Sequence, residues 1–230
     1  MEHILLLHGA IGAKDQLQDL NEQLSSTYHV HNISFSGHGG TPYTGAFSIK
    51  QFAEEVLEYI DGNGLDKVNV FGYSMGGYVG MYLTRYYPER INKLVTLATK
   101  YHWDPAIAEK ENKMLDAEVI ASKIPGFAAA LEKRHAPNDW KELLLKTRDM
   151  LTAMGNDNPL KTEDYGLVSQ PVLVLLGDRD KMVSLEETLH VYKSLPNAQM
   201  GILPGTAHPI EQVNNAYLIF LIKTFIPDTE

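Results

Sequence analysis

Gly72-Tyr73-Ser74-Met75-Gly76-Gly77 stands between the apolar run Val68–Phe71 and a helix-like stretch that begins at Tyr78. Glycine at such a junction marks a backbone that turns tightly or comes close to its neighbours. A single serine set among those glycines has two readings. It can cap the helix, its hydroxyl accepting from a backbone N–H of the first turn. It can also be a reactive hydroxyl presented at the tip of a turn. The rest of the chain has to decide between them.

Working outward, short β-rich runs alternate with helix-length amphipathic segments. Ile4–His8 is an apolar run ending at Gly9, and residues 14–26 carry Leu17, Leu20 and Leu24 at helical spacing. His29–Phe35 reads as a second strand, closed by Ser36-Gly37-His38-Gly39-Gly40. Ser48 caps a helix with Phe52, Val56, Leu57 and Ile60 on one face, ended by Asp61-Gly62-Asn63-Gly64. Lys67–Phe71, Ile91–Ala98, Pro171–Leu176 and Gln199–Leu203 complete a set of six strands. Helices are expected over 75–87, 184–194 and 209–225. Near-continuous apolar strands separated by helices imply a parallel sheet covered on both faces, an α/β fold.

Residues 100–168 break this rhythm, because no strand signal appears between Thr99 and Ser169. Asp104-Pro105 reads as an N-cap followed by the first helical position. Asn138 reads as a second cap, ahead of a stripe made by Trp140, Leu143, Leu144, Thr147, Leu151 and Met154. The expected organisation is a core of 1–99 and 169–230 with a helical cap inserted as 100–168.

Bulk properties exclude several classes. The 230-residue chain is 44% hydrophobic and 21% charged, with a net charge of −9. That charge disfavours nucleic acid as a partner, since phosphate binding needs a basic face. There are no cysteines, so disulfides, thiolate catalysis and thiolate-ligated metals are excluded. No stretch approaches a membrane span, and Ile4–Leu7 is too short for a signal peptide. A cytoplasmic monomer or homodimer without membrane contact is the simplest expectation.

In an open parallel sheet, ligands bind beyond the carboxyl ends of the strands. His8, Gly9 and Ala10 follow the first strand there, and Gly37-His38-Gly39 follow the second. Ser74 follows the third, Asp178 and Asp180 the fifth, and His208 the sixth. A serine, an acid and a histidine thus share one edge. Serine needs a base to remove its proton, histidine has a suitable pKa, and an acid holds the imidazole in the required tautomer. Attack on a carbonyl then needs preorganised N–H donors for the oxyanion. The backbone N–H of Met75 lies next to the serine, at a helix start that favours negative charge.

These motifs resemble the α/β-hydrolase superfamily. Gly72-Tyr73-Ser74-Met75-Gly76 matches its G-x-S-x-G nucleophile elbow, and Ser, Asp, His is its triad order. His8-Gly9-Ala10 with Gly12 resembles its oxyanion loop, and Phe35-Ser36-Gly37-His38-Gly39-Gly40 its turn after the second strand. Gly177-Asp178-Arg179-Asp180 with Val183 resembles its acid loop, and Gly205-Thr206-Ala207-His208 its histidine loop. The resemblance implies Ser74 as nucleophile, Asp180 as acid with Asp178 as the rival, and His208 as base. It implies Ala10 and Met75 as oxyanion donors. It also implies a capped serine hydrolase, a carboxylesterase for small apolar acyl groups, with no metal or organic cofactor. The chain lacks the antiparallel strand pair that usually precedes the oxyanion strand, so about six parallel strands are expected.

The same residues fit other chemistries. Carbon–carbon bond hydrolases share the triad, as does a menaquinone-pathway lyase that would need arginines for its carboxylated substrate. Perhydrolases, and ligand receptors that keep the triad, are further alternatives. Tyr73, Trp103, Phe127, Trp140 and Arg134 are candidate substrate-binding residues. Each has an alternative as packing or as a solvated helix face. His135 and Arg148, with Arg134, are candidates for an anionic substrate or solvated helix faces, and His8 and His38 read as structural. His29 and His31 share a strand face, with no third metal ligand evident.

Overall fold

The computed structural model describes residues 1–227, so the last three residues of the expected core lie outside the described residues. Six strands form one sheet: β1 (His3–Leu7), β2 (His29–Asn32), β3 (Val68–Tyr73), β4 (Ile91–Leu97), β5 (Val172–Gly177) and β6 (Ala198–Leu203). Their order is β2-β1-β3-β4-β5-β6, and every pairing is parallel. Parallel neighbours require crossover connections, and the helices supply them.

Strand alternation sorts the core into two layers. Leu5, Leu7, Val68, Val70, Val172 and Val174 join one apolar cluster. Their chain neighbours Ile4, Leu6, Phe71, Leu173 and Leu175 join the other. The first cluster is covered by α2 (Ile49–Gly62), α3 (Met75–Tyr86) and α9 (Leu185–Ser194). The second is covered by α1 (Gln18–Leu24) and α10 (Asn215–Phe225). A period of two on strands buried on both faces requires this division. Among the described residues, no helix is long and apolar enough to cross a membrane.

Between β4 and β5 the chain forms only helices: α4 (Pro105–Lys113), α5 (Ala117–Lys123), α6 (Pro125–His135), α7 (Trp140–Asn156) and the short α8 (Thr162–Tyr165). Asp104 caps α4 by accepting from Ile107 N–H, with Pro105 in its first turn. The α7 stripe of Trp140, Leu143, Leu144, Thr147, Leu151 and Met154 is buried.

Several boundaries differ from the sequence expectation, three of them near the site. The second strand stops at Asn32, because the N–H groups of Phe35 and Ser36 bond to His8 Nε2 and Glu55 Oε2 instead of a strand. Asp139, not Asn138, caps α7. Asn138 instead donates to Gly37 O and Thr41 O, tying the insertion to the loop after β2. The stretch expected as one helix over 209–225 is a 3-10 turn, Ile210–Gln212, then α10 with its own cap at Asn214.

Candidate active site

The backbone at Ser74 decides between a helix cap and a presented hydroxyl. Ser74 has φ 51° and ψ −115°, a conformation that L residues rarely adopt. It precedes α3, yet its side chain makes no capping hydrogen bond. The backbone holds the turn instead: Ser74 N–H donates to Leu97 O at 2.9 Å, and Gly77 N–H donates to Ser74 O at 3.0 Å. The flanking glycines are demanded by crowding. A Cβ on Gly72 would lie 2.4 Å from Gly76 O, and one on Gly76 would lie 2.2 Å from Leu7 O. The turn is held by these contacts, and among the described residues the Ser74 hydroxyl has no hydrogen-bond partner.

Ser74 and His208 line one cavity of about 410 Å3. Behind His208, Nδ1 lies 2.8 Å from Asp180 Oδ2, and the Asp180 side chain is fully buried. The other carboxylate oxygen accepts from Met182 N–H at 2.8 Å and Val183 N–H at 2.9 Å. Burial alone would raise the Asp180 carboxyl. The hydrogen bonds from His208 and the two N–H groups outweigh it and hold the carboxyl below its ordinary range. Asp178, the rival acid, accepts from Thr206 N–H at 3.1 Å and lies 3.6 Å from Arg179. It braces the turn. Tyr73 fixes His208 from the other side, donating its hydroxyl to His208 O at 3.0 Å.

The loop after β1 lies against the serine. A Cβ on Gly9 would meet the Tyr73 ring at 2.9 Å and Ser74 Cβ at 3.5 Å. Three consecutive carbonyls of this loop are each held by a histidine. His8 accepts from Phe35 N–H at Nε2, so Nδ1 carries the proton and donates to Gly9 O at 2.7 Å. His38 Nε2 lies 2.7 Å from Ala10 O, and its Nδ1 lies 2.9 Å from Ser36 O. His135 accepts from Gly39 N–H at Nδ1, so its Nε2 donates to Ile11 O at 3.1 Å. Burial pushes His8 well down, lowers His38 against the pull of its two carbonyl partners, and pushes His135 down to about 4. Gly9 C=O and Ala10 N–H share one planar peptide, so anchoring the oxygen on His8 turns the N–H away from it. Among the described residues, neither Ala10 N–H nor Met75 N–H is taken up by another backbone or side-chain group.

The remaining candidates separate. Ala10, Met75 and Tyr73 line the cavity from the core, and Trp103, Phe127 and Arg134 line it from the insertion. Trp140 does not line it: it is 8% exposed and packs in the apolar cluster under the insertion. Arg134 is occupied, with Nε 3.0 Å from Asp15 and Nη2 3.9 Å from Glu211. His135 is committed to the loop, and Arg148 does not line the cavity. Parallel register places His3 beside His29, and His3 Nδ1 lies 2.9 Å from His31 Nε2. His31 Nδ1 in turn bonds Tyr59 at 3.0 Å, so these rings satisfy one another and Tyr59.

Met150 and Met154, which the sequence offers either as packing between insertion and core or as cleft lining, line the cavity, and so does Glu111, which sequence reasoning passed over altogether. The signal for Glu111 was present, an acid three residues after Ala108 on the inner face of α4.

Known proteins place the whole. A family model described as the alpha/beta hydrolase fold matches residues 2–151. Esterase YbfF of Escherichia coli is 31% identical, over 98% of this chain and 93% of its own. A putative 2-succinyl-6-hydroxy-2,4-cyclohexadiene-1-carboxylate synthase of Bacillus subtilis is 26% identical, over 91% of this chain and 84% of its own. A solved thermophilic esterase from Thermogutta terrifontis superposes with a TM-score of 0.76 at 22% identity, over 98% of this chain and 89% of that one. This chain belongs to the alpha/beta hydrolase fold family.

Proposed function

We propose that the protein is a serine esterase acting on small, largely apolar carboxylic esters through an acyl-serine intermediate. The observation that carries this reading is Ser74 itself. It is held at φ 51°, its hydroxyl free of any capping role, in the cavity that His208 also lines with Asp180 on its far nitrogen.

In this reading His208 removes the Ser74 proton as Oγ attacks the ester carbonyl. The oxyanion is received by the N–H groups of Ala10 and Met75, the latter at the positive end of α3. His208 then gives the proton to the leaving alkoxide, and the C–O bond breaks to leave the acyl-enzyme. Water, deprotonated by His208, attacks that ester, and the returning proton frees Ser74 as the acid departs. Asp180 keeps Nδ1 protonated and stabilises the imidazolium without taking its proton. Helices α4–α8 serve as the cap, supplying the apolar side of the cavity.

The lyase alternative needs positive charge for a carboxylated substrate. Both cations lining the cavity are already paired, Lys100 with Glu187 at 3.3 Å and Arg134 with Asp15 at 3.0 Å. That pairing favours the esterase reading over the lyase, although a relative carries a synthase name. Intact-mass labelling with a fluorophosphonate tests the proposal. One adduct on the wild type and none on Ser74→Ala supports it. A folded wild type that takes no adduct would refute an activated serine.

A further inference from the structure

The inner face of α4 breaks its own pattern. Ala108 packs so closely on α7 that a Cβ on Gly155 would lie 2.6 Å from the Ala108 Cβ. Glu111 follows three residues on, along the same face, where an amphipathic helix ordinarily places an apolar side chain. Glu111 is 4% exposed, and it lines the cavity that holds Ser74. Among the described residues its carboxylate has neither a hydrogen-bond donor nor an ion-pair partner.

Among the described residues every other charged residue of the lining has a partner within the chain. Lys100 pairs with Glu187, and Arg134 pairs with Asp15 and Glu211. Glu211 also accepts from Gln16 Nε2 at 3.0 Å. Among the described residues Glu111 is thus the carboxylate of the lining that has no partner, and it stands among apolar walls such as Met150, Leu151 and Met154. A carboxylate in such surroundings is unfavourable until a counter-charge arrives. Trp103 and Phe127 line the same space, and aromatic faces attract cations as well.

We propose that Glu111 is the recognition group for a positively charged part of the substrate, so that the preferred ligands are esters bearing an alkylammonium. The inference rests on the reading of this cavity as the substrate site of an esterase. A substrate bearing a second carboxylate is repelled by the same group.

Calorimetric titration of the wild type with hexylammonium, hexanol and hexanoate tests this without relying on turnover. Hexylammonium is expected to bind at least about 10-fold more tightly than hexanol, with hexanoate weakest, a gap of the size carried by close charge pairs. Glu111→Gln keeps the shape and removes the charge, and it is expected to erase the difference. Hexylammonium is also expected to slow fluorophosphonate labelling of Ser74, which would put the cation in the same cavity. Equal binding of hexylammonium and hexanol by the wild type, or an undiminished preference in a folded Glu111→Gln, would overturn the assignment. If Ser74 takes no label at all, the esterase reading fails on that result, while the titrations still decide Glu111.

Discussion

The two sides of the cavity are built on opposite plans. On the core side the polar groups nearest Ser74 are placed by further hydrogen bonds: Asp180 behind His208, Tyr73 on His208 O, and a histidine on each of the Gly9, Ala10 and Ile11 carbonyls. On the insertion side the lining is mostly apolar, with Glu111 as its one charge lacking a partner among the described residues. The first plan suits bond-making, where an error in donor position weakens transition-state stabilisation. The second suits selection, because an unsatisfied group is satisfied only by the right ligand. The two sides meet at His135, which leaves α6 to hold the core loop.

The largest expected effect separates the two acids of the β5 loop. In the proposed mechanism Asp180→Asn removes the charge that holds the His208 tautomer, and kcat is expected to fall by about 10^3- to 10^4-fold. Asp178→Asn, outside that relay, is expected to change kcat by less than about 3-fold, near the usual limit for a surface substitution. Equal losses in the two variants would break the distinction between catalytic acid and turn brace.

His135 tests whether the two sides are mechanically joined. His135→Leu removes the hydrogen-bond partner of Gly39 N–H and of Ile11 C=O, a loss of about 1 kcal/mol for each bond. A loop that no longer aims its donors is expected to lower kcat by about 10-fold, the scale of a weakened oxyanion contact. KM for a short ester is expected to stay nearly constant. A variant that loses stability with kcat unchanged would make His135 a purely structural tie.

The same residue shapes the acid limb of stability. Its folded pKa is lowered to about 4 from 6.5, so the unfolded chain binds the extra proton between those values. Its contribution is complete above pH 6.5 and is lost as the pH falls toward 4. Asp180, also lowered, contributes above its ordinary 3.8 and loses that contribution as the pH falls through its lower folded value. Urea midpoints measured from pH 7 to 4 are expected to decline for the wild type and to decline less steeply for His135→Gln. The smallest effect concerns Glu111→Gln, which relieves an unpaired buried charge. Its melting temperature is expected to rise by about 2–4 °C, the shift that ~1 kcal/mol produces in a domain of this size. A fall would mean that Glu111 stabilises the empty cavity.

The core side was largely legible in the sequence, because its determinants are local. Strand alternation, the Gly72–Gly76 turn and the loops at the strand ends each lie within a few residues of the atoms they position. The insertion side was not. Trp140 reads from periodicity as a candidate lining residue, yet only packing reveals that it faces the cluster beneath. Arg134 reads as a free cation until Asp15, 119 residues away in the chain, is brought beside it. The role of His135 depends on a carbonyl 124 residues away. Glu111 is the exception, since its place in an apolar helix face was visible without the fold.

The most direct test of the central claim is to trap the intermediate. The protein would be acid-quenched during turnover of p-nitrophenyl butyrate, and its mass and the peptide containing Ser74 would be read. The account predicts a butyryl group on Ser74, formed with a stoichiometric burst of nitrophenol and absent from Ser74→Ala. Turnover with no covalent species, at a rate that Ser74→Ala retains, would contradict it.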